Sequence, residues 1–312
     1  MAAQEPEATL NAPLPMFSII VPTCGRPERL WSCLEALTRL DYPHSRFEVI
    51  VVDDGSPRPP LDAVEHFQSS LPLRLSVEPR RGVSAARNAG AMAARGQYLA
   101  FTADDCIPAS GWLRALARTL MSAETTTGVA GAIQNGCPHN RFAAATHLLL
   151  DYLCHTDRVV TAGPPLFFTP NNLAVPVDGF HHIGGFDVSF SLSAGEDRDF
   201  CARWTEHGFA LVRCGDAEVT HHHPLSFFGF LRTHWRYGRG SGCFARSRAR
   251  RLGTGWTLQP VGFYARLVLH PIHLDGMRGI PSVMLLGVAQ VVNALGVLRE
   301  WLRPAPPSDQ HL

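Results

Sequence analysis

Gly96-Gln97-Tyr98-Leu99-Ala100-Phe101-Thr102-Ala103-Asp104-Asp105-Cys106 is the stretch whose reading decides the fold. Tyr98 to Thr102 reads as a short, fully apolar buried strand, entered at Gly96 and closed by two adjacent carboxylates. In open α/β sheets, ligands gather in the crevice beyond the carboxyl ends of the strands. Asp104 and Asp105 would stand there with few ways to spread their charge unless a cation arrives. Hard carboxylate oxygens suit Mg²⁺ or Mn²⁺, which typically accompany a substrate phosphate. The alternative is helix capping, since Pro108 and a helical pattern from Gly111 follow closely. The stretch alone leaves both readings open.

Upstream, Phe17 to Val21 is an apolar strand ended by Pro22. Pro27 opens a helix where its missing N–H costs little, and Leu30, Leu34 and Leu37 share one face of it beside Trp31. Phe47 to Val52 is continuous in Val and Ile, as in a parallel sheet covered on both sides, and ends in the turn Asp53-Asp54-Gly55-Ser56. A short helical segment precedes a strand near Leu73 to Val77. Ser84 is then placed to cap a small-residue helix running to Ala94. Four βα units of this length predict a parallel sheet with right-handed crossovers and all polar turns on one edge. A nucleotide site is expected there.

Downstream the pattern loosens. A helix over Gly111 to Met121 is followed by a strand near Gly128 to Ile133 and a helix near Ala143 to Cys154. An irregular loop from Thr156 to Pro170 leads to a strand over Asn171 to Val177, then a turn at Gly184-Gly185-Phe186-Asp187. A helix opens at Glu196-Asp197-Arg198-Asp199 and runs to about His207. Acids in a first turn are favoured by the helix dipole. Three acids in four residues exceed that need, however, and Gly195 leaves the preceding backbone open to a ligand. Ala210 to Val219 is strand, after which period-2 geometry puts His221 and His223 on one face. Such a pair is either a polar turn or a pair of metal ligands.

Arg232 to Arg251 holds seven Arg and no acid, interleaved with Trp235, Tyr237 and several Gly. It reads as a basic loop, either merely solvated or a Gly-hinged segment that closes on phosphates or rests on an anionic membrane. Ile280 to Leu298 is uncharged and mostly apolar, just long enough to span a bilayer. Pro281, Gly287, Gln290, Asn293 and Gly296 dilute it, so a helix docked on the domain or lying in the membrane surface is expected rather than a span. Residues 1–15 read as a flexible tail rather than a signal peptide, and the Pro-rich tail after Arg303 as disordered.

With 312 residues, 46% of them hydrophobic and 18% charged, the chain is globular and large enough for one big domain or two smaller ones. A net charge of +1 argues against a general nucleic-acid binder. Every one of the 28 basic residues is Arg. Without Lys there is no Walker-type phosphate loop and no Schiff-base chemistry, whereas Arg clusters favour bidentate recognition of phosphate or carboxylate. The eight cysteines are widely spaced with no CxxC, which fits a reducing cytosol.

Taken in order, these pieces resemble the GT-A glycosyltransferases of family 2. The matching residues are Ile20-Val21-Pro22-Thr23 with Arg26, Asp53-Asp54-Gly55-Ser56, Ala86-Arg87-Asn88 and the acidic strand end. Gly184-Gly185-Phe186-Asp187, Glu196-Asp197 and the His221/His223 pair before Arg236-Tyr237-Gly238-Arg239-Gly240 complete the set. The resemblance covers about residues 16 to 245. It implies an α/β fold with a Rossmann-like, mainly parallel sheet flanked by helices and a helical C-terminal extension. A tail (1–15) would precede a glycosyltransferase domain (16–223), with a nucleotide-binding half (16–106) and an acceptor half (107–223), and residues 224–312 would form the extension.

For the site, the resemblance implies that Pro22, Thr23 and Arg26 line the nucleotide pocket and that Asp54 or Asp53 hydrogen-bonds base or ribose. Arg87 would help position the nucleotide, with Asp104 reaching toward its sugar side. Asp105 would hold the divalent cation, Mn²⁺ or Mg²⁺, with His221, more than His223, as the later ligand. Arg236 and Arg239 would close over the leaving group. Asp197 matches the general base, with Glu196 beside it for the acceptor. Ala103 departs from the family, which often carries an acid there, and this puts the strength of metal binding in doubt. The implied reaction is inverting transfer from a nucleotide-diphosphate sugar, UDP-linked by family frequency, to a sugar, lipid-linked or protein acceptor in glycoconjugate synthesis. The setting would be the cytoplasm, with peripheral association at the inner face of the cell membrane permitted. A polyprenyl-phosphate glycosyltransferase, a non-catalytic nucleotide-sugar-binding module and a sugar-nucleotide pyrophosphorylase are the alternatives. The last fits poorly, because Thr23-Cys24-Gly25-Arg26 lacks the Gly-rich loop such enzymes need.

Overall fold

The computed structural model of the chain describes residues 13–155, 167–190, 192, 194–256 and 259–303. The expected tails fall largely outside these residues, as does most of the loop at 156–170. At the centre is one eight-stranded sheet. Its first half is parallel: β1 (Phe17–Thr23), β2 (Phe47–Asp54), β3 (Leu73–Glu78) and β4 (Tyr98–Phe101) stand in the order β3-β2-β1-β4. Every residue of β1 and β2 is buried, so the apolar residues do not alternate with solvent-facing ones, and buried Ser18 donates to buried Glu48 across the pair at 2.7 Å. Helices α1 (Pro27–Leu37), α2 (Leu61–Phe67) and α3 (Val83–Met92) return the chain between them.

The start of α3 differs from the sequence expectation. Its N-cap is Gly82, at φ +95°, and Ser84 is buried with its hydroxyl unpartnered. The turn is made upstream instead, where the Asp54 carboxylate accepts from the backbone N–H of Arg81 (2.8 Å) and of Gly82 (3.0 Å).

The second half comprises β5 (Cys106–Pro108), α4 (Trp112–Met121), β6 (Gly128–Asn135), α5 (Arg141–His155), β7 (Leu173–Pro176), α6 (Val177–His182), α7 (Glu196–Glu206) and β8 (Leu211–His221). It continues the sheet as β4-β7-β6-β8-β5. β7 runs antiparallel to both neighbours and β5 antiparallel to β8, while β6 and β8 are parallel with a register shift between Gly131 and Ala132. Asn172 fills the irregularity. Its amide donates to the carbonyls of Ala132 and Ala217 and its oxygen accepts from the Trp112 indole, each at 2.8 Å. A Cβ on Gly131 would lie 2.1 Å from the Ala217 carbonyl oxygen, so only glycine fits.

The basic stretch is a helix, α8 (Phe227–Leu252), and not a loop. Ser226 caps it by accepting from the Gly229 N–H at 3.1 Å. Its glycines imitate a hinge in the sequence, yet they mark close packing. A Cβ on Gly238 would stand 2.1 Å from the Asn293 carbonyl oxygen, and one on Gly240 2.4 Å from that of Ala194. The neighbour is α10 (Ile280–Trp301), which follows α9 (Val261–Asp275) through a tight turn at Gly276–Gly279. Buried Glu300 fastens the end of α10 by accepting from Arg239 Nε at 2.6 Å, and Arg246 reaches its backbone carbonyl. Leu149, Leu267 and Leu286 join α5, α9 and α10. The docked helix expected at 280–298 is thus present, but its other side is bare. Met284, Val288, Val291 and Leu295 are exposed, and Val261–Trp301 is long and apolar enough to cross a membrane by length and composition.

Candidate active site

A cavity of about 1750 Å³ opens beyond the carboxyl ends of β1, β2 and β4. Pro22, Thr23 and Arg26 line it from the end of β1, Asp54 from β2 and Arg87 from α3. Asp53 does not reach it. Fully buried, Asp53 accepts from the N–H (3.2 Å) and hydroxyl of Ser56 and so closes its own turn. Of the two acids offered for base or ribose, the structure leaves Asp54 facing the cavity.

The acidic strand end divides its labour. Asp104 is wholly buried, accepting from the Thr23 hydroxyl at 2.8 Å and pairing with Arg26 at 2.8 Å. It points at the loop after β1 and is not among the residues lining the cavity, in contrast to the reach toward the donor sugar expected for it. Burial pushes its carboxyl up to about 6, with the Asp105 charge adding and Arg26 and Thr23 opposing.

Asp105 faces the cavity. The pairing of β5 with β8 sets Cys106 opposite His221, and the His222 N–H donates to the Asp105 carbonyl at 2.8 Å. That register carries His221 Nε2 to 3.4 Å and His223 Nδ1 to 3.9 Å from the Asp105 carboxylate. The two rings share a face as strand periodicity predicts, stacked with centroids 5.5 Å apart. Burial alone would raise the Asp105 carboxyl. The two imidazoles and Arg26 outweigh it and hold the group well below the usual carboxylate range. Arg26 (3.4 Å) and Arg29 (3.1 Å) close the remaining side. Arg29 escaped the sequence reading. Its only signal was its spacing three residues after Arg26 on α1, which puts both on one helix face.

These residues fit a divalent cation. One ligand atom each from Asp105, His221 and His223 lie within 4.8 Å of one another, and His223 Nδ1 is buried without a hydrogen-bond partner.

Across the same cavity stand Glu196 and Asp197, at the start of α7. Gly195 before them has φ +91°, and a Cβ there would lie 2.5 Å from the Gly240 carbonyl oxygen. Its role is close approach of α8 more than the open backbone expected. The third acid of the run, Asp199, is structural: it accepts from Arg203 Nε at 2.7 Å and from Arg251 Nη1 at 2.9 Å. Glu196 pairs with Arg87 at 3.1 Å. Asp197 is partly open to the cavity, and burial together with the Glu196 charge pushes its carboxyl up to about 6. Tyr237, unremarked as a site residue in the sequence, also lines the wall. Arg236 lines the cavity too, braced by two bonds to the Leu192 carbonyl at 3.0 and 2.7 Å. Arg239, expected beside it over the leaving group, does not: it turns away and pairs with Glu300 at 2.6 Å.

Residues 18–183 match the family model described as Glycosyl transferase family 2. Glycosyltransferase AglE of Haloferax volcanii is 30% identical over 234 residues, which are 74% of this chain and 74% of that protein. Validoxylamine A glucosyltransferase of Streptomyces hygroscopicus subsp. limoneus is 26% identical over 237 residues, 67% of this chain and 52% of its own, so this chain spans about half of that enzyme. Among solved structures, the mannosyltransferase PcManGT from Pyrobaculum calidifontis in complex with GDP-Man and Mn²⁺ has a TM-score of 0.58. It is 20% identical, with 95% of this chain and 86% of that one covered, a likeness of fold.

Proposed function

Because the chain belongs to glycosyl transferase family 2, we propose that its nucleotide-sugar glycosyl transfer goes to an acceptor hydroxyl with inversion at the anomeric carbon, Asp197 taking the proton. The observation that carries this reading is that Asp105 with its two histidines and Asp197 with Glu196 line one cavity from opposite strand and helix ends.

The donor's nucleotide lies over Pro22, Thr23 and Asp54, with Arg87 at its edge. Asp105, His221 and His223 would hold a divalent cation; bound there, it neutralises charge developing on the departing diphosphate. Two imidazoles beside one carboxylate favour a first-row transition ion such as Mn²⁺ over Mg²⁺. Arg236 supplies further positive charge to the leaving group. The acceptor oxygen attacks the anomeric carbon from the face opposite the diphosphate. The new C–O bond forms as the bond to the phosphate oxygen breaks, and the hydroxyl proton passes to Asp197. General-base help of this kind is typically worth about 10²–10⁴ in rate. An Asp carboxyl raised to about 6 is still mostly ionised at pH 7 and is more basic than an ordinary Asp.

Turnover of a panel of nucleotide sugars with and without Mn²⁺, followed by NMR of the product anomer, tests the reading. Expected is cation-dependent turnover of one donor, UDP-linked by our reading, and a product inverted relative to it. A retained configuration would remove Asp197 from the role of base.

A further inference from the structure

Resting on the glycosyl-transfer reading above, we propose that the acceptor is lipid-linked and that its alkyl or isoprenoid chain lies in an apolar groove between α8, α9 and α10. The cavity does not end at Asp197 and His223. It continues without a break into a wall made by Leu153, Phe263, Leu267, Val297, Leu298 and Trp301. Four of these side chains are aliphatic and offer no hydrogen bond to the hydroxyls of a sugar or the amides of a peptide, and together with the Phe263 and Trp301 rings they dehydrate what lies against them. Along α10 the lining changes character. The polar Gln290 and Asn293 come first, and the apolar Val297, Leu298 and Trp301 follow one to two turns later. A molecule with a polar head and an apolar tail matches that gradient.

The outer faces of the same helices show where such a chain comes from. Leu274 of α9 is 56% exposed, and Met284 and Val291 of α10 are 70% and 61% exposed. Contiguous apolar surface of this kind marks an interaction site on a soluble protein. Only 17% of the most apolar window of Val261–Trp301 is buried. A bilayer covering this face would present the tail of a lipid directly at the groove, with the head toward Asp197.

Trp256 and Trp301 both line the groove and report its contents by fluorescence. The test titrates the full chain with alkyl glucosides of four, eight and twelve carbons, brominated on the chain, each below its micelle-forming concentration. UDP binding is followed in parallel by calorimetry. Expected is quenching that tightens with chain length, by up to about fourfold per enclosed methylene. It should be lost in Trp256→Phe/Trp301→Phe and weakened at least tenfold in Leu298→Asp, whose exposed site tolerates the charge while UDP binding persists. Quenching that ignores chain length or survives Leu298→Asp, or its absence while UDP binds normally, overturns the lipid assignment and leaves the transfer reading standing. A chain that binds no nucleotide diphosphate, by contrast, sinks the transfer reading and this inference with it.

Discussion

Arg87 on α3 and Glu196 at the mouth of α7 form a buried ion pair, 3.1 Å between guanidinium and carboxylate, that ties the first half of the fold to the second across the cavity. The side chains are 6% and 7% exposed, and the Arg87 guanidinium also lies 5.3 Å from the centre of the Phe186 ring. In the sequence the two residues stand 109 positions apart.

Removing one partner of this pair leaves the other charged and dry. Arg87→Leu is expected to cost about 3–5 kcal/mol of unfolding free energy in urea, and Arg87→Leu/Glu196→Leu to recover much of it. A loss in the double variant equal to the sum of the losses in Arg87→Leu and Glu196→Leu would show that the pair is not coupled.

With Asp197 as the base, its carboxyl is expected to set the acid limb of the pH profile. A base works only as its carboxylate, so with its carboxyl raised to about 6 the rate falls roughly tenfold per pH unit below that value and is level above it. Glu196→Gln removes the neighbouring negative charge and should move the limb to lower pH. Asp197→Asn should abolish it, with turnover reduced by about 10²–10⁴ and nucleotide affinity kept. Near-normal turnover in Asp197→Asn refutes the assignment.

Opposite signs are expected on the two sides of Asp105. His221→Ala should weaken Mn²⁺ binding, measured by calorimetry without nucleotide, by at least about tenfold. Arg29→Gln removes a cation 3.1 Å from the same carboxylate and should strengthen it. Weaker binding in both would mean that Arg29 orders the site rather than competing for it.

The parallel half of the sheet was legible in the sequence because strands buried on both faces leave unmistakable Val/Ile runs, and their ends carry the acids. Asp105, His221 and His223 were named together by the family resemblance, and the β5–β8 register is what brings them to one place. Asp104 and Asp53 were misassigned, since nothing local says which of two adjacent carboxylates turns inward. Arg239 was misassigned because its partner, Glu300, lies 61 residues away. The largest error was α8. Arg and Gly over a long stretch signal exposure and bending, but here each glycine answers a neighbour that sequence alone does not show.

That contrast makes glycine substitutions in the C-terminal helices diagnostic. In an open helix, Gly→Ala is worth up to about 1 kcal/mol of stabilisation through backbone entropy and propensity. Gly287 of α10 meets nothing within 4 Å, so Gly287→Ala should raise the urea midpoint. Gly238 of α8 faces the opposite outcome. A Cβ there would meet backbone, the Asn293 carbonyl oxygen at 2.1 Å, which cannot swing aside as a flexible side-chain tip can. The helices must separate, at a typical overpacking cost of about 1–3 kcal/mol that exceeds the propensity gain. Gly238→Ala should therefore lower the midpoint. It should also loosen the Arg239–Glu300 pair one residue on, so that hydrogen exchange rises along α10 before the sheet responds. If Gly238→Ala proves as stabilising as Gly287→Ala, α8 and α10 do not pack as described and the groove between them has no fixed wall.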